Sequence, residues 1–333
     1  MKKRCAWGCT PHAHLFFGIL PEHCKSPLSN HPMPNPIFPR VLHVIHNPHI
    51  PPMGGQKLNQ AMRWHDPDRN AQMYSEDVHY ASFGYVNYRI VERIEVDAFP
   101  VKQDGFVYTP EAYLECWRQR HKCHHPDGVD YHQLVEEFDM IGKINRDEID
   151  EVWLTAFPYG GYYESRMAGP GAFWCNSPPL GQTDHALRRF VIMGFSYERG
   201  VGEMLEDLGH RVESILQRVF RAKKGLANLW EWFTRYDQTH PRQAEVGNIH
   251  FAPNSEQDYD WGNKRKVWSR CDNWYNFPDL TGEPKLVDCN EWGKGDIRGH
   301  HVWWLRHLPH KDGESDGISH NWWQYVIDPN HVQ

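Results

Sequence analysis

The segment Gly202-Glu-Met-Leu-Glu-Asp-Leu-Gly-His-Arg-Val-Glu-Ser214 holds the residue types in this chain best suited to chemistry. Glu203, Glu206, His210 and Glu213 follow at steps of three, four and three residues. An α-helix turns once in about 3.6 residues, so all four share one face. Met204, Leu205, Leu208, Val212, Ile215 and Leu216 form an apolar stripe on much of the rest, and the pattern predicts a helix over 202–222. Three carboxylates and an imidazole are a donor set for a hard or borderline divalent metal such as zinc. Glu206 and His210 are the expected ligands from this helix, with Glu203 or Asp207 as the carboxylate that activates water. His250, between Ile249 and Phe251 on an expected short strand, is the ligand expected from outside the helix. His307 is a further histidine able to reach a metal or move a proton.

A second set lies in loops that follow apolar segments. Tyr159, Glu164 and Arg166 fall in Tyr159-Gly-Gly-Tyr-Tyr-Glu-Ser-Arg166, and Glu198 and Arg199 follow Tyr197. Open α/β sheets bind ligands beyond the carboxyl ends of their strands. In a metal-free enzyme Glu164 and Glu198 are the expected acid and base of glycoside hydrolysis, and Tyr159, Arg166 and Arg199 hold substrate. Trp261, Trp274 and Trp292 stand among polar loop residues and are expected as exposed platforms for sugar rings, whereas Trp153, Trp230 and Trp304 read as core.

The stretch Glu206-Asp-Leu-Gly-His210 resembles the HExxH helix of the zincins, with glutamate in place of the first histidine. The likeness covers five residues. It implies Glu206 and His210 as zinc ligands and Asp207 as general base.

These residues need elements to position them. Val41-Leu-His-Val-Ile-His46, 88–96, 149–157 and 188–195 read as strands, the last two as buried ones. Helices are expected at 110–121, 130–143, 202–222, 225–237 and 297–307. Apolar strands alternating with helices predict an α/β fold, a parallel or mixed sheet covered by helices. One domain is expected over 41–333, with 240–333 as an aromatic, loop-rich cap. Residues 1–40 read as a poorly ordered Pro/His-rich head whose Met1-Lys-Lys-Arg4 and Leu15–Leu20 have the form of a degenerate export signal.

Charge and cysteine usage set the compartment and partners. There are 36 basic and 43 acidic residues, a net charge of −7, which argues against a general nucleic-acid binder. No apolar run reaches the roughly 18 residues of a membrane span. Cys116 with Cys123 and Cys271 with Cys289 bracket turn-forming residues, and both pairs are expected disulfides of a secreted protein. The expectation is a secreted hydrolase, metal-dependent through the Glu/His helix, acting on an extracellular polymer: glycan before peptide. The alternative is a non-catalytic carbohydrate-binding or cell-envelope protein with a Trp-rich surface.

Overall fold

Side chains alternate across a strand, and in Arg40–His46 (β1) that sends Val41 to one face and Leu42 and Val44 to the other. The same division runs through Arg89–Val96 (β2), Glu151–Ala156 (β3), Ser165–Ala168 (β4) and Phe190–Ser196 (β5). They form one sheet in the order β2-β1-β3-β5-β4. All neighbours are parallel except β4, which runs antiparallel to β5. On one face pack Pro67–Ala81 (α1), Val201–Val219 (α2) and Ile297–Arg306 (α3), whose apolar residues share a core with Val41, Trp153 and Met193. On the other face Leu134, Ile141 and Ile144 of two short helices, Tyr131–Glu137 and Met140–Asn145, cover Leu42, Val152 and Ile192. The fold is α/β, a mixed and mostly parallel sheet between helices. Our computed structural model describes residues 32–333. Most of the expected N-terminal head and its export signal therefore lies outside the described residues. Its last part is tied in, since Ile37 bridges Val86 alongside the sheet.

Several elements differ from expectation for local reasons. The helix expected over 130–143 breaks at Asp139, which adopts a left-handed φ of 48°. The one expected over 225–237 shrinks to Leu229–Phe233, capped by the Asn228 side chain. No strand forms around His250. The Asn248 side-chain Oδ1 instead accepts from the backbone N–H groups of His250 and Phe251, which makes a turn. Among the elements not foreseen are β4, an edge strand of four residues, and α1. The start of α1 follows a simple rule, with Pro67 in the first turn and Asp66 accepting from the Arg69 N–H.

The expected Trp261, Trp274 and Trp292 platforms are core residues, at 5, 0 and 1% exposure. Acceptors distant in sequence draw two of them inside: Glu245 for the Trp274 indole and the Trp261 carbonyl for Trp292. Among the described residues Trp174 and Trp268 are the exposed indoles. Burial beside Trp274 pushes the Glu245 carboxyl up to about 7. An unfolded glutamate ionises near 4.5, so between pH 4.5 and 7 the folded state retains a proton that the unfolded chain loses. Stability from this group is present below pH 4.5 and is lost as pH rises to about 7, by about 3 kcal/mol. Glu245→Gln, which keeps the indole's acceptor, is expected to flatten that slope. Urea unfolding of both proteins at pH 5 and 7 checks it, and identical slopes would refute the assignment.

Cys116 and Cys123 form a disulfide with Cα atoms 4.5 Å apart. Cys271 and Cys289 do not pair; both are buried free thiols. They flank the antiparallel strands Val267–Ser269 and Lys285–Val287, in which Ser269 lies opposite Lys285 and Val267 opposite Val287. Cys271 therefore follows the closed end of the hairpin and Cys289 the open end, where the register holds them apart.

Candidate metal centre

Gly200 starts α2, and its N–H donates to the Glu203 carboxylate at 3.2 Å. Glu203 is thus engaged as a helix cap. Two turns on, Glu206 and His210 present their side chains to the turn holding His250. His250 Nε2 lies 3.0 Å from Glu206 Oε1 and 3.1 Å from His210 Nε2, and His210 Nε2 lies 3.9 Å from Glu206 Oε1. Glu206 is buried and both histidines are half-buried.

The other ring nitrogens define what this convergence means. His210 Nδ1 is 3.1 Å from Glu213 Oε2, and His250 Nδ1 is 3.0 Å from Asp258 Oδ1. Ionised carboxylates only accept, so both Nδ1 atoms carry hydrogen. In neutral rings both Nε2 atoms then turn lone pairs toward each other and toward Glu206 Oε1. A proton on His250 Nε2, directed at Glu206 Oε1 and His210 Nε2, relieves its own two contacts in the metal-free state. A single divalent cation relieves all three contacts. Tetrahedral zinc with bonds of about 2.0–2.1 Å places its nitrogen ligands about 3.3 Å apart, close to the 3.1 Å between the two Nε2 atoms. Carboxylates behind ligating imidazoles are the usual outer support of such sites. Tyr259 donates to Glu206 Oε1 at 3.0 Å, and the buried His301 Nε2, without a hydrogen-bond partner, stands 3.9 Å from Glu206 Oε2.

Electrostatics agree in sign. Burial raises the Glu206 carboxyl, but the imidazoles of His250 and His301 outweigh it and hold the group below the usual carboxylate range. Burial lowers His210, yet Glu213, Glu164 and Glu206 carry it up to about 9. Burial and the charges of Glu164, Glu206 and Glu203 hold Asp207 well above its ordinary value. The pocket draws positive charge. Without a cation Asp207 holds its proton more tightly than an ordinary carboxyl, which disfavours it as a base.

Of the remaining expected site residues, Glu164 acts electrostatically on His210, Asp207 and Tyr259 and receives a hydrogen bond from Asn176. Arg199 acts on Glu203 and Asp207. Glu198 acts on His65 and Tyr113 and lies 3.7 Å from Arg199 Nε. Arg166 stacks over Tyr131 and Tyr163, and Tyr159 accepts from Arg120; neither touches the Glu206 cluster. Asp258, Tyr259 and His301 are site residues that spacing did not single out.

Gly209 seats the His250 turn on α2. A Cβ there would stand 2.4 Å from Ile249 Cδ1. Gly209→Ala is expected to push the turn away and weaken zinc binding by about 10-fold or more, as loss of positioning contacts does elsewhere. Isothermal titration against the parent checks this, and an unchanged affinity would show that the turn does not need the close approach.

Fold and geometry together define a class, an α/β protein with a candidate Glu-His-His metal centre on the helix after its last parallel strand. Comparisons with protein-family models, curated proteins and solved structures found no match to this chain.

Proposed function

We propose that the protein is a secreted, metal-dependent hydrolase of an extracellular polymer. The observation that carries this reading is the approach of His210 Nε2, His250 Nε2 and Glu206 Oε1, with each imidazole backed by a carboxylate. These three residues would hold the ion and leave a position open. A zinc ion so held supplies a bound water that ionises near pH 7. Glu164 takes the role of base in place of Asp207, because its carboxylate acts on His210 and Asp207 at the centre and is held in place by the Asn176 amide. The Tyr259 phenol orients Glu206. Secretion is supported by the Cys116–Cys123 disulfide. Among the described residues no helix is long and apolar enough to cross a membrane.

Glycan stays the preferred substrate on a new ground. Trp174, 58% exposed, is two residues from the Asn176 that bonds Glu164, so an indole face lies along the chain segment next to the base. The same exposed Trp174, with Trp268, also favours the second reading, a carbohydrate binder without catalysis. Zinc-loaded protein should release reducing ends from a polysaccharide, and Glu164→Gln should stop release while leaving zinc content unchanged. Zinc binding with glycan retention and no cleavage would favour the binder; no zinc binding would remove both the metal and the hydrolase.

A further inference from the structure

A second set of donors lies away from the Glu206 cluster, where the end of α3 meets the turn Cys271–Asn276. His307, which caps α3, is fully buried. Its Nδ1 donates to the Trp303 carbonyl at 2.7 Å, so Nε2 is a bare acceptor, and it has no hydrogen-bond partner. A bare lone pair in a closed interior lacks the stabilisation that a proton donor or metal ion gives. Near the His307 ring are the buried free thiol of Cys271 and the carboxylate of Asp272. Ligand atoms of all three residues lie within 4.8 Å of one another.

We propose that Cys271, Asp272 and His307 form a second metal site, which takes a borderline divalent transition ion of the zinc type. The donor set makes the choice: a thiolate and an imidazole suit zinc and disfavour magnesium or calcium, which prefer oxygen. Asp272 is exposed, so the ion has a way in from solvent and a water can fill the remaining position. Lys285 Nζ stands 2.9 Å from Asp272 Oδ1 but also pairs with Glu291, which retains it when that carboxylate turns to the metal. Binding replaces the Cys271 S–H bond by a sulfur–metal bond and releases one proton to solvent. The ion would tie the loop of the Val267–Val287 hairpin to α3 and so hold one end of the helix that carries His301.

Cobalt(II) added to the zinc-depleted full chain tests this without reference to activity. A thiolate ligand gives cobalt an intense sulfur-to-metal charge-transfer band in the near ultraviolet, and the Glu206 centre contains no sulfur. The band should appear in the parent and in His250→Ala, which impairs only the first centre. It should persist in Cys289→Ser and vanish in Cys271→Ser. Absence of the band from the folded parent, or its survival in Cys271→Ser, would overturn the proposal. If Cys271→Ser does not fold, the exposed Asp272→Asn decides: cobalt binding weakened by about 10-fold or more supports the site, and unchanged binding overturns it.

Discussion

His250→Ala is expected to lower zinc affinity by more than about 100-fold, and Asp258→Asn by about 10–100-fold, the range found when an outer partner of a ligating histidine is lost. The order follows from position. His250 Nε2 is the atom that both Glu206 and His210 approach most closely, so its removal leaves two donors on one helix. Asp258 touches only the far nitrogen of that ring and acts by fixing which nitrogen carries hydrogen. The metal-free His250→Ala protein should be no more stable than the metal-free parent, because the substitution removes an imidazole that stabilises the Glu206 carboxylate. Zinc should raise the unfolding midpoint of the parent and leave that of the variant unchanged, since a ligand that binds only the native state stabilises it by mass action. Zinc titration with thermal unfolding measures both. Parent and variant affinities within about twofold would mean that the three groups share protons and hold no metal.

The layered fold was legible where one physical signal acted alone. Val152, Leu154, Ile192 and Met193 belong to strands buried on both faces, and such strands announce themselves as apolar runs. The stripe of Met204, Leu208, Val212 and Ile215 likewise located α2 to within three residues at its end. The short edge strand β4 has too few residues to show a period, and α1 is polar enough that its capping residues were the available signal. In the site, Glu206 and His210 were legible because one helix face carries both. Asp258 and Tyr259 were not, because the turn that brings them to the helix has no periodicity. Trp274 misled for a related reason: its neighbours in sequence are polar, while Glu245 and Phe233, which surround it in the fold, lie far along the chain.

Arg211→Met is expected to destabilise the protein by about 3–5 kcal/mol, the usual cost of leaving one member of a buried ion pair alone. Arg211 follows the ligand His210 on α2 but lies in the core, where it is fully buried. Its guanidinium donates to Glu151 Oε2 at 2.7 Å and to the Ile327 carbonyl at 3.2 Å, while the Trp153 indole donates to Glu151 Oε1 at 2.8 Å. Glu151 begins β3, so this one side chain fastens the metal-bearing helix to the centre of the sheet and to the C-terminal helix Trp323–Ile327. Burial opposes the charge on Arg211, but the Glu151 carboxylate outweighs it and holds the guanidinium protonated. Without Arg211 the carboxylate stays in the core with one indole donor, and the charge has no counter-ion. Glu151→Gln keeps an acceptor for Trp153 but strands the arginine, so it should cost a similar amount. The double variant Arg211→Met with Glu151→Gln should be more stable than the sum of the singles predicts, because no unpaired charge remains. Urea unfolding of the four proteins measures the coupling. Strictly additive losses, or either single loss below about 1 kcal/mol, would show that the pair is not what anchors α2. Zinc affinity should fall with stability in both singles and recover partly in the double, since the geometry of Glu206 and His210 depends on a helix that cannot turn.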